Sequence, residues 1–110
     1  MLLLITKKAT AQEIEQAAQD IGGFYIKIVV DIEKAVLAMG GERHVDAEQL
    51  LLEHGSNQDD LWGGGLDLKT KDIDYNSMIN LRPHQENASR DVLSVEIRKK
   101  FDAIIKQLLL

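Results

Sequence analysis

The chain has no cysteine, which excludes disulfides and thiolate metal sites and suits a reducing cytoplasm. No apolar run approaches the roughly 20 residues that a membrane-spanning helix needs. The N-terminal sequence MLLLITKK carries no basic region ahead of its apolar run, and that run is too short for a secretory signal. Basic charge is also scarce: 13 Lys and Arg stand against 18 Asp and Glu, a net charge of −5. Nucleic-acid-binding surfaces usually show a clustered basic face. Here the only basic run is Arg98-Lys99-Lys100, on a segment patterned as a helix, so neither nucleic acid nor a membrane is an expected partner. No repeat, low-complexity tract or linker divides the 110 residues, and residues 1–110 are expected to form one cytoplasmic domain. A chain of this length buries roughly two-thirds of its unfolded surface, enough for one self-sufficient core.

What is present reads as a mixed α and β pattern. Residues 2–6 form an apolar run suited to a strand covered on both faces. Thr10 and Glu13 are spaced as a capping box ahead of Ile14, Ala17, Ala18 and Ile21, with Gly22-Gly23 as the stop. Phe24, Ile26, Ile28, Val30 and Ile32 alternate and predict a strand with one strongly apolar face. A turn near Glu33-Lys34 leads to a second strand at 35–39. A helix is expected over 47–54 with Asp46 as its cap, followed by a hairpin of strands 61–68 and 73–81. In the latter strand Tyr75, Ser77, Ile79 and Leu81 share one face, and Asn76, Met78, Asn80 and Arg82 the other. Ser94 caps a final helix whose core positions are Ile97, Phe101, Ile104, Ile105 and Leu108. The predicted class is α+β: a single mixed sheet in the order β-α-β-β-α-β-β-α, with helices mainly on one face.

Two polar stretches are candidates for chemistry. In an extended backbone Glu42 and His44 point the same way, and a carboxylate beside an imidazole suits acid–base work. The plainer reading is a surface ion pair beside a helix cap. Asn80 and Arg82 share a predicted strand face, and the Arg82 fork suits a carboxylate or phosphate. Asn87 and Ser89 are candidate ligand donors that can equally hold their own loop. His54 and His84 stand at no metal-ligand spacing from His44, so neither a metal nor another cofactor is expected. His54 falls in the last turn of its helix and shares a face with Ala47, Leu50 and Leu51, which suggests partial burial. The glycines after Trp62 lack the Gly-Lys-Ser/Thr ending of a phosphate loop and indicate close backbone approach instead. Trp62 alternates with Leu66 and Leu68 as a core residue would, with an aromatic binding platform as the other option.

The blocks VVDIEKAVLAMGGERHVDAEQLLLEHGSNQDDLWG, DYNSMINLRP and NASRDVLSVEIRKK resemble a family of small uncharacterised bacterial proteins, prominent in cyanobacteria and catalogued as a domain of unknown function. The likeness includes Gly40, Gly41, His44, Asp46, Trp62, Gly63, Asn80, Arg82, Pro83, Asn87 and Ser89. The family pattern places an asparagine and an aromatic residue after the Trp-Gly pair, where this chain has Gly64-Gly65 and Leu66-Asp67. An Asp-Pro pair before the last helix is replaced by Ser94-Val95. The resemblance implies no particular activity.

Without a nucleophile elbow or other catalytic signature, the leading expectation is a non-enzymatic binding or interaction protein. Its partner would be a second copy in a symmetric dimer, another protein or a small anion. The competing expectation is a small enzyme acting on a phosphorylated or carboxylated metabolite through Glu42, His44 and Arg82. Both His44 and Arg82 are expected on exposed polar faces, where alanine would be tolerated.

Overall fold

A computed structural model describes residues 1–110, and in it the N-terminal apolar run becomes strand β1 (Leu3–Ile5). Thr10 then opens helix α1 (Ala11–Ala18), its hydroxyl accepting the Glu13 amide at 3.1 Å while the Glu13 carboxylate accepts the Thr10 amide at 2.9 Å. That reciprocal pair satisfies two of the amides every helix start leaves free. Strand β2 (Tyr25–Asp31) follows and turns into β3 (Val36–Met39). Buried Asp31 shapes the turn by accepting the Glu33 and Lys34 amides, both at 2.9 Å. Helix α2 (His44–Glu53), strands β4 (Leu61–Asp67) and β5 (Ile73–Asp74), and helix α3 (Val95–Leu109) complete the order. Ser94 caps α3 through the Ile97 amide at 3.3 Å.

The class is α+β, and the element order follows the sequence pattern. The five strands lie in the order β1-β3-β2-β4-β5, and every pairing is antiparallel rather than mixed. Period-two alternation sorts the core. Ile26, Ile28 and Val30 of β2 join Leu37, Met39, Trp62 and Leu66 on the face covered by Ala17, Ala18, Phe101, Ile104 and Ile105. Val29, Ala38 and Leu61 point the other way, against Ala47 and Leu51 of α2. The helices lie mainly on one face, as expected, with α1 and α3 there and α2 alone on the other. Phe101 is fully buried, a side chain worth roughly 1.5–3 kcal/mol of transfer free energy. Phe24 does not join the apolar face of β2; it lies outside the strand, 57% exposed, with the Lys69 ammonium 4.2 Å above its ring. No helix is long and apolar enough to cross a membrane.

The largest departure from the sequence pattern lies after β5. The expected strand over 73–81 stops at Asp74, and a 3-10 turn at Met78–Asn80 replaces its second half. The alternating faces do not form: Asn80 is fully buried, whereas Met78 and Leu81 are exposed. The reason is that β4 is longer than its partner. β5 pairs only with Gly65 and Leu66, so the outer edge of β4 at residues 61–63 has no strand beside it. The Asn80 amide takes that place, its Oδ1 accepting the Gly63 amide at 2.8 Å and its Nδ2 donating to the Gly63 carbonyl at 2.9 Å. Nδ2 also donates to the Tyr75 and Arg90 carbonyls at 2.8 and 3.0 Å.

Two glycines permit this approach. A Cβ at Gly63 would sit 2.6 Å from the Ser77 Cβ, and one at Gly64 would sit 2.8 Å from the Phe101 ring. Removing the Asn80 amide orphans the Gly63 N–H and C=O, each costing about 1–3 kcal/mol, while the Tyr75 and Arg90 carbonyls keep the Val92 and Ser77 amides. Asn80→Ala is therefore expected to lower stability by about 3 kcal/mol or more. A urea midpoint close to that of the unaltered chain would show that the β4 edge is held by other means.

Candidate functional site

The single cleft of the molecule has a volume of about 250 Å³ and lies where α2 begins. Lys27, Arg43, His44, Val45, Ser77, Met78 and Arg90 line it. Lys27 comes from β2 by strand alternation, on the same sheet face as Val29. Its ammonium donates to the Glu42 carbonyl at 2.7 Å, which fixes the approach to α2.

Helix α2 starts at His44, earlier than the expected cap at Asp46, and its N-cap Arg43 supplies no capping side chain. The free His44 and Val45 amides and the helix dipole give this end partial positive charge, while the Asp46 amide donates to the Arg43 carbonyl at 3.2 Å. His44 holds the start in place instead, because its Nε2 lies 2.6 Å from the Gly64 carbonyl. A carbonyl only accepts, so Nε2 carries the proton and Nδ1 keeps its lone pair. Burial pushes the His44 imidazole below its usual range, and the nearby Lys27 and Arg90 charges push it further. The Gly64 carbonyl and Asp74 pull in the other direction.

The opposite wall belongs to the segment suspended from Asn80. Ser77 is almost fully buried, and its hydroxyl accepts the Ile79 amide at 3.3 Å while donating to no protein group. Its own amide donates to the Arg90 carbonyl at 3.0 Å, so Ser77 and Arg90 are tied together. No carboxylate lines the cleft. Two neighbouring carboxylates are otherwise engaged: Asp46 meets Arg43 at 3.3 Å on the exposed rim, and Asp74, whose charge reaches His44, accepts the Tyr25 hydroxyl at 2.5 Å.

The residues singled out from the sequence divide. His44 is in the cleft, but on a helix, so the shared strand face with Glu42 does not exist. Glu42 is exposed and meets the site only through its carbonyl. Arg82 lies elsewhere, 5% exposed, at the end of β4 rather than on an open strand face. Its guanidinium donates to the Gln58 carbonyl at 2.6 Å and to the Leu61 carbonyl, and stacks 3.9 Å from the Trp62 ring. Burial lowers its pKa, while Glu48, Asp59 and Asp60 support its charge. The expected tolerance of alanine at Arg82 does not follow from this geometry. Trp62 itself is a core residue.

Asn87 donates to the Asn80, Ser89 and Asp91 carbonyls at 2.8, 3.0 and 2.9 Å and accepts the Leu93 amide at 2.9 Å. Ser89 accepts the Asp91 amide at 3.0 Å. Asn80, Arg82, Asn87 and Ser89 thus hold backbone. His54 is exposed rather than partly buried, its Nδ1 2.8 Å from the Leu50 carbonyl, and His84 is exposed near Asp59 at 3.7 Å. Lys27, Arg43 and Arg90 were not legible as a set, since 16 and 47 residues separate them and no spacing signals their convergence.

Residues 3–108 match the model of the family described as protein of unknown function (DUF5674), and the chain belongs to that family. No curated protein matches, and no solved structure does.

The depressed His44 pKa makes a pH prediction. Below its ordinary value of 6.5 the unfolded chain binds a proton that the native imidazole resists, so stability falls as pH drops below 6.5. The fall ends once pH passes the lowered native value. His44→Gln keeps a donor for the Gly64 carbonyl and removes the titration. Its stability, from urea midpoints between about pH 7.5 and about pH 5, is expected to fall less than that of the unaltered protein. Parallel curves for the two proteins would contradict a buried, neutral His44.

Proposed function

We propose that the protein is a non-enzymatic binding module that recognises an anionic group, a phosphate or a carboxylate, at the N-terminus of α2. One observation carries this: the single cleft of a chain with net charge −5 is lined by Lys27, Arg43 and Arg90 and by no carboxylate. An opposite charge about 4 Å from one such group gains about 4 kcal/mol at an effective dielectric of 20, before desolvation. The His44 and Val45 amides and the Ser77 O–H add neutral donors suited to an oxyanion.

Size argues for a binding module. Pockets for whole metabolites usually run from about 300 to about 1,000 Å³. This cleft, at about 250 Å³, suits an anionic head rather than a complete substrate. The alternative, an enzyme acting on an anionic metabolite through Glu42, His44 and Arg82, draws less support. Arg82 is buried away from the cleft with both terminal nitrogens on carbonyls, Glu42 lies outside the cleft, and no carboxylate orients the His44 ring. The same proposal takes the protein to be bacterial and cytoplasmic, with a protein partner, a second copy or a small anion as what it meets.

Inorganic phosphate titrated into labelled protein is expected to shift the amide resonances of His44, Val45 and Asp46 at low salt. Arg43→Glu with Arg90→Glu should weaken that binding by about tenfold or more, which is about 1.4 kcal/mol. Shifts that fall elsewhere, or that survive the double charge reversal, would overturn the anion site.

A further inference from the structure

We infer that the anion is presented by a protein: an acidic peptide segment in which a carboxylate side chain stands next to an apolar one. This rests on the anion-site proposal and adds the class of ligand. The same cleft that gathers Lys27, Arg43 and Arg90 is lined by two exposed apolar side chains, Val45 at 47% and Met78 at 63%. A site for a free inorganic anion has no use for apolar lining, and isolated exposed apolar residues are ordinary; here both lie beside the cations.

Each neighbour has a distinct job. The Arg90 fork suits a planar carboxylate, which it can grip by two parallel hydrogen bonds, while Arg43, its fork on Asp46 at the exposed rim, adds positive charge beside it. Methionine is unbranched and polarizable, and it adapts to varied apolar partners. Val45 stands in the first turn of α2, next to the free amides that favour the carboxylate, so a ligand held there brings its neighbouring group against Val45 and Met78.

The other sources of such an anion fit less well. At about 250 Å³ the cleft admits a side-chain head, leaving the remainder of the ligand to run across the rim. No Phe, Tyr or Trp lines it, and the half-buried His44 ring is tied to the Gly64 carbonyl, so a nucleobase has no broad stacking surface. An anionic bilayer presents a field of many charges that repels a body of net charge −5, whereas a peptide contributes only one or two carboxylates at the contact.

The test uses the full chain and two fluorescein-labelled peptides of equal length and charge, one alternating glutamate with leucine and one alternating glutamate with serine. Fluorescence anisotropy is expected to show the glutamate–leucine peptide binding about tenfold tighter, a difference of about 1.4 kcal/mol. Met78→Ser with Val45→Ser, both at exposed positions and checked for folding by thermal melting, should erase that preference. Arg43→Glu with Arg90→Glu should remove binding of both peptides. Equal affinity of the unaltered protein for the two peptides overturns the inference, while phosphate-induced shifts at His44–Asp46 would still support the anion site. Tighter binding to phosphatidylglycerol vesicles than to either peptide overturns it in favour of a bilayer. Loss of all binding, phosphate included, refutes the anion site itself.

Discussion

The side-chain amide of Asn80 does the work of a missing strand. Strand β4 runs past the end of β5, and an unpaired edge inside a folded domain leaves donors and acceptors that water no longer serves. Asn80 carries an acceptor and donors on one planar group, so it can meet both the N–H and the C=O of Gly63, as a neighbouring strand would. Arg82 adds a second rung at the Leu61 carbonyl and closes over Trp62. Neither residue faces solvent, and both are spent on the scaffold.

That scaffold in turn makes the cleft. Asn80 also holds the Tyr75 and Arg90 carbonyls, and Asn87 holds the Asn80 carbonyl. The wall that supplies Ser77, Met78 and Arg90 is therefore suspended from two buried asparagines. The facing wall comes from Lys27 on β2 and from the uncapped start of α2, anchored by His44 on Gly64. Gly63 and Gly64 stand between the walls, and their missing side chains let Ser77 approach on one face and Phe101 on the other. A net acidic chain thus presents local positive charge at one place, by topology rather than by composition.

Where structure depends on neighbours in sequence, it was readable. The Thr10–Glu13 box, the Ser94 cap, the alternation through Ile26–Val30 and the helical spacing of Phe101, Ile104, Ile105 and Leu108 all describe local geometry, and each has its counterpart in the fold. Alternation failed over residues 75–81, because periodicity says which residues can share a face but not whether a strand is available to pair with. Asp46 looked like the cap of α2, yet the helix begins at His44, whose bond to Gly64 comes from a strand 20 residues away in sequence. Polar residues that drew attention for their chemistry, Asn80, Arg82 and Asn87, are engaged by backbone. The three cations of the cleft drew none, since only the tertiary fold brings them together.

The dependence of the cleft on Asn80 is tested most directly by hydrogen exchange at a single amide, that of Gly63. It pairs with no strand, and its acceptor is the Asn80 side chain. If that amide substitutes for a strand, Gly63 exchanges only on global opening, as slowly as the Val29 and Val30 amides in the middle of the sheet. Exchange of Gly63 at the rate of exposed loop amides, with Val29 and Val30 still protected, would contradict it.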